Sequence, residues 1–192
     1  MRGTLFITGD PEADGLLNRD GTALMIGMLL DQQVTLEKAF TSPRDLVRRL
    51  GHEPTAQELA DYDPEALVAI FSERPALHRY PRAMAARVQE LCALIVGRYH
   101  GDAVNLWSGA ATGKELLARI NALSGFGANK ARIFVAFLGK QYGVRPEGWR
   151  EAAGHFGDEG SRCSVADIVD ADSLAEVRAY KQSLKSAAKA SS

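Results

Sequence analysis

The run Leu123-Ser124-Gly125-Phe126-Gly127-Ala128-Asn129-Lys130-Ala131 holds the residues whose types and spacing speak most directly to chemistry. A stretch of amphipathic helical period precedes its Gly-x-Gly pair and a strongly apolar one follows. A tight glycine turn between two helices leaves main-chain N–H groups uncovered at the start of the second. Those donors, with the positive end of the helix dipole, bind a phosphate oxygen. Lys130 in the first turn and Arg132 behind it add positive charge, and Phe126 is the apolar residue that pins the corner. The bland alternative is a helix–helix corner with no ligand. A dinucleotide fingerprint would need a strand before the glycines, and none is expected here. Gly109-Ala110-Ala111-Thr112-Gly113-Lys114-Glu115 has the outline of a nucleotide-phosphate loop, but it is one residue short. It also has Glu115 where a magnesium-binding hydroxyl is required, so nucleotide hydrolysis is not expected.

The elements that must position this corner read as helices. Residues 22–30 are apolar nearly all round and predict a buried helix. Thr35 caps a following helix, and Pro43 starts a separate short one. Thr55-Ala56-Gln57-Glu58 reads as a capping box, and Asp63-Pro64-Glu65 as another helix start. Residues 83–99 carry the best amphipathic period, with Met84, Val88, Leu91, Cys92 and Ile95 on one face. Further helices are expected over 114–122, 129–142 and about 173–189. The last of these has a basic stripe at Arg178, Lys181, Lys185 and Lys189. Residues 143–164 read as an ordered loop with one short helix. Leu5-Phe6-Ile7 is β-prone but isolated, so the fold class is all-α.

The chain has 192 residues, 46% of them hydrophobic, and a net charge of −1. The charge is uneven. Residues 1–96 hold 10 Lys and Arg against 14 Asp and Glu, whereas residues 97–192 hold 13 against 10. A local basic stretch on a neutral protein holds an anion in one place without a general affinity for polyanions. The two cysteines, Cys92 and Cys163, form neither a disulfide framework nor a zinc or iron–sulfur spacing. No signal pattern opens the chain, and no apolar run approaches the ~20 residues that span a bilayer. A cytoplasmic monomer, nucleoid-associated when on DNA, is the expectation.

The corner resembles the Leu-Pro-Gly-hydrophobic-Gly-x-x-(Thr/Lys)-Ala hairpin of the HhH-GPD superfamily of DNA glycosylases, with Ser124 in place of the proline. Upstream, Ile26-Gly27-Met28-Leu29-Leu30-Asp31-Gln32-Gln33-Val34-Thr35 resembles the buried helix that ends in Leu-Gly-Gln-Gln in alkyladenine-type and adenine-type members. The resemblance covers about residues 20 to 150. It implies a single two-lobed domain over residues 1–192. One helical lobe would span about 21–136, and the second would gather 1–20 with 137–192. Duplex DNA carrying a damaged or mispaired base would cross the groove between them.

The resemblance also implies roles. Gln33, with Gln32 beside it, would fill the gap left by an extruded base. The hairpin at Gly125, Phe126, Gly127 and Asn129 would grip a phosphate, helped by Lys130 and Arg132. Counting from the hairpin places Glu147 at the catalytic carboxylate, where the family has aspartate. Asp31, beside the glutamines, is the second candidate. Trp149 would stack on the base, with Tyr80, Trp107 and Phe126 as further aromatics. The carboxylate should face a base-sized cavity between Gln33 and the hairpin. Asn129 stands where some members carry a lysine nucleophile, which implies water-mediated, monofunctional excision. The family's four-cysteine iron–sulfur loop is absent, so packing must hold the C-terminal segment. A monovalent cation on the hairpin carbonyls is implied, and no other metal or cofactor. The residues themselves leave other readings open. Paired glutamines also cap helix carbonyls, and Pro-Glu-Gly is a common turn composition. A lesion-binding or DNA-end-binding protein without catalysis, and a helical protein–protein adaptor, both remain as alternatives.

Overall fold

Asp20 and Asp31 bracket a ten-residue helix, α2 (Gly21–Leu30), in which every residue is buried. Nothing on this helix is charged, so no face of it is suited to water, and the helices over Pro11–Arg19, Leu36–Leu50 and Pro81–Tyr99 pack over it. Fully burying side chains such as Leu24, Met25, Met28 and Leu29 stabilises the fold by roughly 1.5–3 kcal/mol each. Asp20 caps the start, its Oδ1 accepting from the N–H groups of Thr22 at 2.7 Å and Ala23 at 3.2 Å. The computed structural model describes residues 5–190, with side chains placed for all of these except Lys185 and residues 187–190. The expected contribution of Lys185 and Lys189 to a basic stripe therefore lies outside the described residues.

Around α2 the order is α1 (Pro11–Arg19) before it, then α3 (Leu36–Leu50), α4 (Ala56–Asp61), α5 (Pro64–Ser72), α6 (Pro81–Tyr99), α7 (Val104–Ser108), α8 (Gly113–Asn121), α9 (Ala128–Gln141), α10 (Trp149–Ala153) and α11 (Ala171–Ala190). Two 3-10 turns, Gly154–Gly157 and Val165–Asp167, follow α10. Helices α1, α3 and α6 pack on α2, helices α4 and α5 pack on α6, and α8, α9 and α10 pack on one another. The N-terminal segment touches both groups, since α1 packs on α2 and α3 while Tyr142 Oη, just past α9, donates to Leu17 O at 2.6 Å. The fold is all-α. Among the described residues there is no strand, only an isolated bridge between Thr112 and Glu147. No described helix is long and apolar enough to cross a membrane.

Two local expectations are corrected. Pro43 does not start a helix; it lies inside α3, which runs unbroken from Leu36 to Leu50. Proline removes one ladder hydrogen bond. Burial of Leu36, Ala39, Phe40 and Leu46 on the same helix outweighs that loss. Thr55 caps α4 as expected, but Glu58 does not return to complete a capping box. Its carboxylate pairs instead with His52 Nε2 at 2.7 Å. Helix α1 is an addition to the expected elements: Asp10-Pro11 starts it, with Asp10 Oδ1 accepting from Glu12 N–H at 3.0 Å and Ala13 N–H at 3.1 Å.

Candidate nucleic-acid interface

The glycine corner joins α8 to α9. Leu123 and Phe126 are buried, and the Phe126 N–H donates to Leu123 O at 3.1 Å, closing the turn. Gly125 has φ +83, and a Cβ there would lie 2.5 Å from Leu29 Cδ1, so glycine is required both for the backbone and for the approach to α2. Gly127 caps α9 with no side chain. The Ala131 N–H is the one that closes onto Gly127 O, at 2.9 Å. The amides of Ala128, Asn129 and Lys130 therefore precede the helical ladder. Ser124, Gly125, Gly127, Ala128 and Asn129 are exposed, and no acid stands in the first turn. The arrangement is an open, positively polarised helix start. Phe126 is part of the core rather than of the surface, its ring 6.2 Å from that of Phe134.

Against this corner lies the end of α2. Asp31 closes the helix, its N–H donating to Gly27 O at 3.1 Å. Gln32 is held at both ends of its amide: Nε2 donates to Leu29 O at 2.8 Å, and Oε1 accepts from Arg87 Nη1 at 3.1 Å. The Gln32 carbonyl accepts from His78 Nε2 at 2.9 Å. Gln33 follows with φ +56 and is exposed, and among the described residues its side chain has no hydrogen-bond partner. Tyr80, 43% exposed, stands beside this turn, its ring 6.1 Å from that of His78.

Lys130 was expected at a phosphate. Instead it turns inward: Nζ donates to Leu29 O at 3.0 Å and lies 5.8 Å from the centre of the Phe126 ring. Burial pushes its ammonium down to about 8; Asp31 opposes the shift, while Arg87 and Lys181 add to it. The physical reason is the Leu29 carbonyl at the end of α2, which lacks an intrahelical partner and takes a cation as a second donor beside the Gln32 amide. Asp31, a neighbour of Lys130, pairs with Lys181 of α11 at 3.3 Å. Next to this pair, Glu37 and Arg178 form a second ion pair. Val34, Thr35, Leu36, Glu37, Arg178, Lys181 and Gln182 enclose a cleft of about 330 Å³. Arg132 remains exposed, in a shallow groove with Lys114 between α8 and α9.

Two expected site residues are not brought here. Glu147 is exposed, and its carbonyl accepts from Gly113 N–H at 2.7 Å at the start of α8. The hairpin lies at the other end of α8, about 13 Å away at the helical rise of a nine-residue element. Trp149 is buried, not available for stacking; a Cβ on Gly139 would meet its ring at 2.3 Å, and Arg150 lies over the ring, 4.6 Å from its centre. An apolar indole covering a glycine gap in a helix gains more from burial than from water. Trp107 is likewise core, edge-on to Phe134 at 5.9 Å.

Sequence reasoning passed over His78, Arg87 and Lys181 as partners of the Gln32 turn, because the contacts span 46, 55 and 150 positions of the chain. The C-terminal segment is held by more than packing. Lys140 Nζ donates to Asp167 Oδ1 at 2.7 Å, to Ser161 Oγ at 2.9 Å and to Asp158 O at 2.9 Å, and the N–H groups of Cys163 and Ser164 donate to Asp167 Oδ2. Among the described residues no cluster of His, Cys, Asp or Glu is placed to hold a metal ion. Burial pushes the Cys92 thiol up to about 12, which marks it as an inert core group.

No curated protein and no solved structure matches the chain. A family model described as HhH-GPD superfamily base excision DNA repair protein matches residues 26–191, which include the glutamine turn, the glycine hairpin and the helices between them, and the chain belongs to that superfamily.

Proposed function

We propose that this protein is a DNA glycosylase that extrudes a damaged or mismatched base from duplex DNA and hydrolyses its N-glycosidic bond. One observation carries the reading: Leu29 receives both Lys130 Nζ and the close approach of Gly125, so the glutamine turn and the hairpin form one surface. The open amides of Ala128 and Asn129 would take a phosphate oxygen, as the resemblance implied for this corner. Gln33 would enter the vacated stack, with the exposed Tyr80 ring beside it, offsetting the few kcal/mol that flipping costs. Asp31 is favoured over Glu147 as the carboxylate, because it stands at the glutamine turn while Glu147 stands at the far end of α8. Its charge would stabilise the oxocarbenium-like sugar and orient water. The cleft of about 330 Å³ falls within the size range of small-molecule sites; Val34 and Leu36 give it apolar surface, Gln182 an amide, and Lys181 ties it to Asp31 through their ion pair. The hairpin carbonyls suit the monovalent cation that the resemblance implied: Leu123 O accepts one hydrogen bond and keeps a second lone pair. When bound, such an ion would add positive charge beside the phosphate.

The deciding experiment offers the protein a panel of lesion-bearing duplexes, then mild alkali to break abasic strands. Strand breaks for at least one lesion, lost by about 100-fold in Asp31→Asn and retained in Glu147→Gln, are expected. Tight binding of an abasic analogue with no breaks from any lesion favours the non-catalytic alternative.

A further inference from the structure

A residue with a side chain enters the left-handed region at a cost unless its surroundings hold it there, and Gln33 has φ +56. Its neighbour Gln32 is what is held. Each polar atom of Gln32 is engaged: N–H to Leu30 O at 2.7 Å, C=O from His78 at 2.9 Å, Nε2 to Leu29 O at 2.8 Å and Oε1 from Arg87 at 3.1 Å.

The hydrogen positions follow from the partners. The Tyr80 N–H can only donate, so His78 Nδ1, 3.0 Å from it, carries no proton. The neutral ring then has its hydrogen on Nε2 and donates it to the Gln32 carbonyl. Arg87 also only donates, so it meets Oε1 and leaves the amide nitrogen for Leu29. His78 is 2% exposed and comes from the loop that enters α6, and Arg87 comes from α6 itself. One helix and its entry loop thus grip the turn from outside α2, and the same imidazole fixes the backbone of the exposed Tyr80.

We infer that His78 and Arg87 are positioning residues for base extrusion: by fixing Gln32 at its carbonyl and its amide, they keep Gln33 preformed as the wedge, with Tyr80 set beside it. The inference rests on the proposed role of Gln33. A preformed wedge avoids the loss of conformational freedom that ordering it on DNA would impose. The conservative variants separate the two bonds of the ring. His78→Gln retains a donor where Nε2 stood, and His78→Asn retains an acceptor where Nδ1 stood but loses the donor to Gln32.

The test uses the full chain and a duplex with a tetrahydrofuran abasic analogue next to 2-aminopurine, whose fluorescence rises when its stacking is broken. Affinity for the same duplex without the analogue and the thermal unfolding curve are measured alongside. Wild-type protein and His78→Gln should give the full rise. Gln33→Ala, His78→Asn and Arg87→Met should give less than about half of it, and in His78→Asn and Arg87→Met the intact-duplex affinity should stay within about twofold, since the hairpin grip is untouched. A full rise in His78→Asn alongside a diminished one in Gln33→Ala overturns the inference alone. So does a parallel fall of fluorescence and intact-duplex affinity in His78→Asn, which would mark a general structural role. No rise with wild type, or a full rise in Gln33→Ala, overturns the wedge reading and the inference with it.

Discussion

Lys130 Nζ donates to the Leu29 carbonyl at 3.0 Å across 101 positions of the chain, and the side-chain amide of Gln32 donates to the same oxygen at 2.8 Å. A helix end leaves its last carbonyls without intrahelical partners. Here one of them becomes the joint between two motifs that are remote in the chain. The lysine is spent on that joint, which shifts the positive charge available to DNA toward the helix amides and Arg132.

Gly125→Ala should weaken the joint from the other side. The new Cβ would lie 2.5 Å from Leu29 Cδ1 at a φ of +83. A loss of about 1–3 kcal/mol in urea unfolding is expected, with weaker binding to any duplex. Unchanged stability would mean that the corner does not press on α2.

Stability should depend on alkaline pH through Lys130. Its folded-state value is about 8 against an ordinary 10.5, so the folded protein binds fewer protons than the unfolded chain between those values. Stability therefore rises with pH across that window, and the burial penalty is fully present below about 8. The groups that act on it are Asp31, Arg87 and Lys181. The swing is on the order of 3 kcal/mol at most. Lys130→Met should flatten the difference curve between pH 8 and 10.5; a curve superimposable on wild type would contradict the inward placement.

The salt dependence of duplex binding should separate the two basic residues of α9. Each neutralised phosphate contributes about −0.9 to the log–log slope. Arg132→Ala should reduce the slope by about that amount, because Arg132 is exposed. Lys130→Met should leave the slope unchanged, and a reduced slope there would show that Lys130 reaches DNA.

Asp167→Asn should loosen the C-terminal segment. Burial raises this carboxyl, but the hydrogen bonds from Lys140 and Ser161 outweigh it and hold the group below its ordinary 3.8. A carboxyl depressed on folding stabilises above its unfolded value, and that stability is lost as pH falls below 3.8. Removing one partner of a buried pair costs about 3 kcal/mol or more. Calorimetry should show a lower Tm at neutral pH and a smaller difference from wild type near pH 3. An unaltered Tm would mean that packing alone holds the segment.

The sequence by itself determined most of the helices, the buried α2 and the Gly-x-Gly corner. Apolar period, caps and glycine spacing are local properties, and they are written within a few turns of chain. The same locality misled the reading at Pro43, where burial along α3 outweighs one missing hydrogen bond. Only the tertiary structure decided where the charged and aromatic groups point. Lys130 and Trp149 read as surface ligands because both types serve that role, yet one satisfies a helix-end carbonyl and the other covers Gly139. Glu147 satisfied a count along the chain but stands at the wrong end of α8 to meet the glutamine turn. The partners of His78, Arg87 and Lys181 were not legible locally, because a side chain 46 or more residues away becomes a partner only when helices pack. Electrostatics and hydrogen bonding act through space, and the distances they act across are set by the fold rather than by the order of residues.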